Sequence, residues 1–309
     1  MSDHNHSTKL LEILHRRLQI LREQRARLGR NTSPEVEIEI EDIEVEIKQL
    51  EAEVEEKALF VRFWRIHDEE PLYCAISVAG FKDIGPYTRL MTGFGEIRGY
   101  ASIIYSLTRA YENSVMKDVD LYFGDDTFPR HNLLEGSMIL LGGDDVNKVT
   151  DRVKKEFDEK SIELPFHFHY EGKGEKQLIV LDKNGKKTPF KPEYNYDKEG
   201  NYKGIKYDYG VVARLPNPFR PIRKIYLFAG CHTYGTAAAA KVVAVSHILE
   251  EIEATYPGYK SSKYFVLIIR CRVMRDNTLF IDDKVFHSLN EKLFKPILST
   301  KDLSSDNHI

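Results

Sequence analysis

The sequence predicts an α/β domain carried behind an α-helical coiled-coil hairpin. In the first sixty residues apolar side chains recur at alternating three- and four-residue steps among dense charge, with a single glycine, Gly29. From Leu59 onward short apolar runs alternate with helical stretches, the pattern of a sheet covered by helices. Glycine turns stand where apolar runs and helices meet, most clearly at Gly230-Cys-His-Thr-Tyr-Gly-Thr236, between Ile225-Tyr-Leu-Phe-Ala229 and Ala237-Ala-Ala-Ala240.

The hairpin comes first. Leu11, Leu14, Leu18, Leu21 and Leu28 keep a heptad phase that Arg25 interrupts, and Gly29 suits the residue after a helix end. Val36, Ile40, Ile43, Ile47, Leu50 and Val54 keep the same phase behind Ser33-Pro34, an N-cap with proline at the first helical position. Val-Glu-Ile-Glu-Ile-Glu also alternates with period two, as a strand would, but Asp42 breaks the alternation and preserves the heptad. The first helix is Arg-rich and the second Glu-rich, so an antiparallel pair sets opposite charges side by side. Two helices alone make a thin core, which implies packing against a second copy or a partner.

Residues 10–24, 32–35 and 38–51 resemble a helical segment of bacterial signalling and defence proteins, where it accompanies NACHT-type NTPase, TIR or caspase-like modules. The resemblance implies a context, self-association or docking, and no chemistry.

Composition narrows the classes. At 309 residues, 42% apolar and 30% charged, the chain has room for one large domain or two smaller ones. A formal net charge of -3 gives no global reason to expect nucleic acid as a partner. Cys74, Cys231 and Cys271 are too few and scattered for a disulfide framework or a Cys-rich metal site, which fits a reducing cytoplasm. The start lacks the basic region and apolar core of a signal peptide, and no apolar run approaches membrane-spanning length. The expected location is the cytoplasm, with no membrane partner.

Along the α/β part the pattern predicts strands at 72–79, 119–123 and 137–141 and helices at 96–111 and 146–157. An antiparallel meander follows at about 166–215, with turn signals at Lys183-Asn-Gly185 and Lys198-Glu-Gly-Asn201. The alternation resumes with the strand at 225–229, one long helix to about 254 and a strand at 264–269. Residues 1–7 and 297–309 read as disordered tails, 8–57 as the hairpin and 58–296 as the α/β domain.

Three turns are expected to stand at one edge of the sheet: Thr92-Gly-Phe-Gly-Glu-Ile-Arg98, Gly142-Gly-Asp-Asp-Val-Asn147, and the turn from Gly230 to Thr236. Turns after strand C-termini line the crevice where ligands of open α/β folds bind, and helix N-termini offer backbone N–H groups there. The candidate ligand-binding residues are Thr92, Gly93, Gly95, Gly142, Gly143, Asp144, Asn147, Gly230, His232, Thr233, Gly235 and Thr236. No phosphate loop, full dinucleotide fingerprint or His-Glu-x-x-His zinc motif occurs. Gly142-Gly143 with Asn147, then Asp208-Tyr-Gly210, then Gly230 with Gly235-Thr236-Ala resembles a Rossmann-like module of archaeal surface-layer-type and bacterial conflict proteins. That likeness implies a three-layer fold and a ligand crevice.

Two chemistries compete there. Glu96 could engage a ribose hydroxyl or serve as general acid or base in cleaving a glycosidic bond of an NAD-like nucleotide, with Asp144, Asp145 and Asn147 orienting the sugar. An acid in the first turn also simply favours a helix start. Cys231 could be a nucleophile with His232 as base, but the glycine spacing is not that of a nucleophile elbow, and a small buried cysteine fits better. His167 and His169 share one face of a strand without a third metal ligand at a supporting spacing, and Arg270, Arg272 and Arg275 read as a charged edge. The sequence therefore predicts a signalling or antiphage-defence component that self-associates through its hairpin and binds a nucleotide-like molecule. A glycohydrolase using Glu96 and a non-enzymatic protein-binding platform remain as alternatives.

Overall fold

A computed structural model describes residues 3–66, 71–77, 80–84, 87–111, 119–123, 134–171, 175–181 and 185–298. Helices α1 (Asp3–Leu28) and α2 (Pro34–Trp64) form the N-terminal hairpin. Helix α1 thus begins inside the stretch expected to be a tail. Leu14, Leu18 and Leu21 are buried against Ile40, Ile43 and Ile47, so the heptad positions meet along one seam. Arg17 pairs with Glu39 at 2.7 Å, Arg22 with Glu44 at 2.8 Å and Arg25 with Glu37 at 3.2 Å across it. The reversal uses Gly29 at φ +55, a short 3-10 turn over Gly29–Asn31, and Ser33 as N-cap.

Helix α2 does not stop at residue 57. Its last turns bury Leu59, Phe60, Phe63 and Trp64 in the α/β core, each side chain contributing about 1.5–3 kcal/mol of burial. Arg214 fastens this end. Its guanidinium is buried, donates to the carbonyls of Arg62 and Phe63 at the helix C-terminus and to those of Lys263 and Ser262, and lies 4.7 Å from the centre of the Phe265 ring. Burial pulls its pKa down to about 10, which still leaves it charged at neutral pH. Hairpin and body therefore share one continuous helix, and the expected boundary falls inside its last two turns.

The main sheet contains β1 (Leu72–Ile76), β4 (Val119–Phe123), β5 (Ser137–Leu141), β9 (Glu193–Tyr196), β10 (Tyr202–Pro216), β11 (Lys224–Gly230), β12 (Tyr264–Val273) and β13 (Leu279–Leu289). Its order is β13-β12-β10-β11-β5-β1-β4, with β9 on the flank of β10. Strands β4, β1, β5 and β11 run parallel, whereas β10 is antiparallel to both β11 and β12, and β13 is antiparallel to β12. The fold is thus mixed α/β on a sheet that is parallel on one side and antiparallel on the other. Strands β2 (Gly80–Ile84) and β3 (Tyr87–Met91) pair separately, as do β6 (Phe166–Glu171), β7 (Glu175–Leu181) and β8 (Lys187–Phe190).

One face of the main sheet carries the end of α2 with α3 (Phe94–Ala110), α5 (Thr233–Val242) and α6 (Ser246–Thr255). The other carries α4 (Lys148–Glu159), β6 with β7, and α7 (Lys295–Leu298). Two expectations need correction. The single long helix to 254 is two helices, α5 and α6, because the Val243-Ala-Val245 stretch between them is rich in β-branched residues that favour a helix poorly. The second half of β10, assigned to the meander, is a central strand of the main sheet. Part of the 297–309 tail, from residue 299, lies outside the described residues, and so do Val78 and Ala79 of the first predicted strand and Lys183 and Asn184 of one turn signal.

Candidate functional site

The parallel strands β5 and β11 are neighbours, so the turns after them lie side by side, joined by a hydrogen bond from the Gly142 amide to the Phe228 carbonyl at 2.9 Å. Gly142 has φ +101, and a Cβ there would sit 2.9 Å from that of Ser77, so no other residue turns this corner without strain. The turn before α3 reaches the third turn directly. The Gly95 amide donates to Thr233 Oγ1 at 2.7 Å, and a Cβ on Gly95 would lie 1.9 Å from the Thr233 carbonyl oxygen. The three glycine turns singled out in the sequence are therefore neighbours in space.

Their helix N-termini, however, are occupied by the protein's own side chains. Asn147 Oδ1 accepts from the amides of Val149 and Thr150, and its Nδ2 donates to the carbonyls of Ala75 and Leu141. Fully buried, it caps α4 and ties the second turn to two strands, rather than facing a ligand. Asp208 does the same for α5: one carboxylate oxygen accepts from the Gly235 amide at 2.6 Å, the other from the Tyr209 amide at 2.8 Å. Complete burial pushes this carboxyl up to about 7 although those amides and that of His232 pull it down. Glu96 is buried at the start of α3, its Oε2 3.3 Å from Thr233 Oγ1. Thr236 is also buried. Asn147 and Asp208 are therefore structural at these positions, the amides of Val149, Thr150 and Gly235 that they take up are not free for a ligand, and Glu96 and Thr236 lie buried among the turns.

Polar chemistry gathers instead on the α4 side of β5 and β11. Lys176, almost fully buried on β7, pairs with Asp145 at 2.8 Å and rests 4.4 Å from the Phe168 ring centre. Tyr170 donates to the other oxygen of Asp145. Burial pushes the Asp145 carboxyl up, but the charge and hydrogen bond of Lys176 outweigh it and the net shift is downward. His232 is half-buried, its Nε2 3.0 Å from the Tyr194 hydroxyl, and burial, with Lys176 nearby, lowers its pKa. Cys231 is buried, and burial pushes its thiol up, the setting of a small buried cysteine. Sequence reasoning missed Lys176, Tyr194 and the capping role of Asp208. The one available signal was Lys176 standing two residues before the apolar run Leu178-Ile-Val-Leu181.

Beside this cluster lies a cavity of about 220 Å³. Leu140, Leu215, Ile225 and Leu227 of the sheet form its floor, Val153 of α4 one wall, and Phe166 and Phe168 of β6 the other. Gly143 and Asp144 of the second turn stand at one end, while Lys154, Asp158, Glu163 and His167 add polar groups. Lys154 is engaged by Asp158 at 3.1 Å and Asp144 at 3.9 Å. Of the sequence candidates, only Gly143, Asp144 and His167 line it. The arginines following the last predicted strand do not converge: Arg270 pairs with Glu193 at 3.1 Å and stacks on Tyr207, and Arg272 pairs with Asp282 at 3.7 Å. No protein-family model matches the chain, and no curated protein matches it.

Proposed function

We propose that the α/β body is a Rossmann-like small-molecule receptor within a signalling or defence component, and that the hairpin self-associates. The ligand is nucleotide-like at its base-and-sugar end, which the cavity between α4, β6 and the sheet would receive. The observation that carries this reading is the course of that cavity, which runs under α4 along the sheet face from Ile225 and Leu227 of β11 to Leu140, Gly143 and Asp144 at the C-terminal end of β5, the end at which open α/β sheets bind ligands. At about 220 Å³ it suits a planar ring and a sugar rather than a whole nucleotide. Its acids, Asp144, Asp158 and Glu163, outnumber its lysine, and the helix N-termini are already filled, so phosphates belong outside. The signalling or defence context rests on the resemblance of the hairpin alone.

Glu96 stands with α3 and α5 on the opposite face of the sheet from this cavity, so the glycohydrolase alternative gains no support from it. Calorimetric titration of the full chain with a panel of bases, nucleosides and nucleotides tests the reading. Nucleosides are expected to bind at least about tenfold (1.4 kcal/mol) more tightly than their phosphates, and Val153→Phe, which fills the cavity, to cost at least as much. Glu96→Ala should leave binding unchanged. A panel with no binder, or binding indifferent to Val153→Phe, would remove the cavity from function.

A further inference from the structure

The hairpin buries its heptad seam and still exposes a second set of aliphatic residues. Ile13 and Ile20 of α1 are 63% and 51% exposed, and Ile38 and Val45 of α2 are 57% and 56% exposed. Each pair is spaced by seven residues, so each forms a short stripe along its helix. In the heptad phase set by the buried seam, Ile38 and Val45 fall directly opposite it, and Ile13 and Ile20 on the outer arc of α1. The two stripes therefore lie on opposite edges of the hairpin.

Their surroundings are complementary. Arg16 and Arg17 stand one turn from both isoleucines of α1, with Lys9 one turn before Ile13 and Glu23 one turn after Ile20, so this stripe has a basic surround on balance. Glu41 and Asp42 stand one turn from both Ile38 and Val45, with Glu35 one turn before Ile38 and Lys48 one turn after Val45, so this stripe has an acidic surround on balance. The stripes also lie at similar heights along the hairpin. Arg17, between the two isoleucines, pairs with Glu39 beside Ile38, and Arg22 pairs with Glu44 beside Val45.

We infer that the occupant of each stripe is a second copy of this chain, with the α1 edge of one hairpin packing on the α2 edge of the next. The inference rests on the self-association proposed above and specifies its geometry. Because the two edges differ and face apart, the contact is heterologous: a copy that uses its α1 edge still offers its α2 edge, and the assembly grows head to tail into a ring or filament. Val45 precedes Leu59, the first fully buried body residue of α2, by about 20 Å of helix at 1.5 Å per residue, which gives neighbouring bodies room to splay.

Two edge variants of the full chain test this by native mass spectrometry, with circular dichroism confirming unchanged helix content. Ile13→Glu/Ile20→Glu blocks the α1 edge and Ile38→Glu/Val45→Glu the α2 edge, both at exposed helical positions that accept glutamate. Wild type is expected as trimers or larger, each variant alone as monomer, and the equimolar mixture as one-to-one dimers that do not extend. A monomeric wild type would sink self-association itself. A wild-type oligomer that survives in either variant would leave self-association standing and overturn this pairing of edges, as would a mixture that stays monomeric.

Discussion

The Asp208 carboxylate is buried at the N-terminus of α5, where it accepts from the Gly235 and Tyr209 amides. Unfolded, such a group ionises near its ordinary value of about 3.9. Folded, burial holds it up at about 7. Between those pH values the folded chain keeps a proton that the unfolded chain has released, so the stability this residue adds is fully present below about pH 4 and is lost as pH rises toward about 7. Asp208→Asn has no such proton. The wild-type-minus-variant difference in unfolding free energy, from denaturant titrations at several pH values, is expected to fall by about 1.4 kcal/mol per pH unit across that window. A flat difference would show that the amides hold Asp208 ionised throughout. Nothing in the sequence assigned this role, because Asp208 meets α5 only through the antiparallel pairing of β10 with β11.

Asn147 shows how an element can be legible while its purpose is not. The Gly142-Gly143 turn and the helix after it were readable from a buried apolar run and a change of period. Which way Asn147 faces was not, because a short polar side chain after two glycines suits a ligand or a cap equally well. It closes α4 and also satisfies two buried strand carbonyls, so Asn147→Ala should cost about 2–4 kcal/mol, the sum of a lost N-cap and two unmet acceptors. Thermal unfolding reads that loss. A stability change below about 0.5 kcal/mol, the range of ordinary surface substitutions, would contradict the capping role. Helix α2 was legible for the same reason that its end was not. The heptad phase identified the helix, but Leu59, Phe60 and Phe63 leave that phase to serve a different core, and a charge-rich helix carries no local mark where it passes from one to the other.

At the scale of the whole molecule, a thin two-helix core and a thick sheet core hang on one continuous helix. The hairpin seam has six buried aliphatic side chains, Leu14, Leu18, Leu21, Ile40, Ile43 and Ile47, whereas the body holds two large clusters on the faces of its sheet. Stability should therefore be uneven, with the distal hairpin opening before the body. Trp64, the single tryptophan, reports the junction: it is buried, donates to Ser106 Oγ at 2.8 Å and packs edge-on against Phe63. On heating, far-ultraviolet circular dichroism is expected to lose helical signal in a first step while Trp64 emission stays unchanged, and both to change in a second. If hairpins pack edge to edge, raising the protein concentration moves only the first step upward, since assembly stabilises what it binds. Coincident transitions at every concentration would mean that α2 makes hairpin and body one cooperative unit, with Arg214 and the buried aromatic residues holding the distal helices as firmly as they hold Trp64.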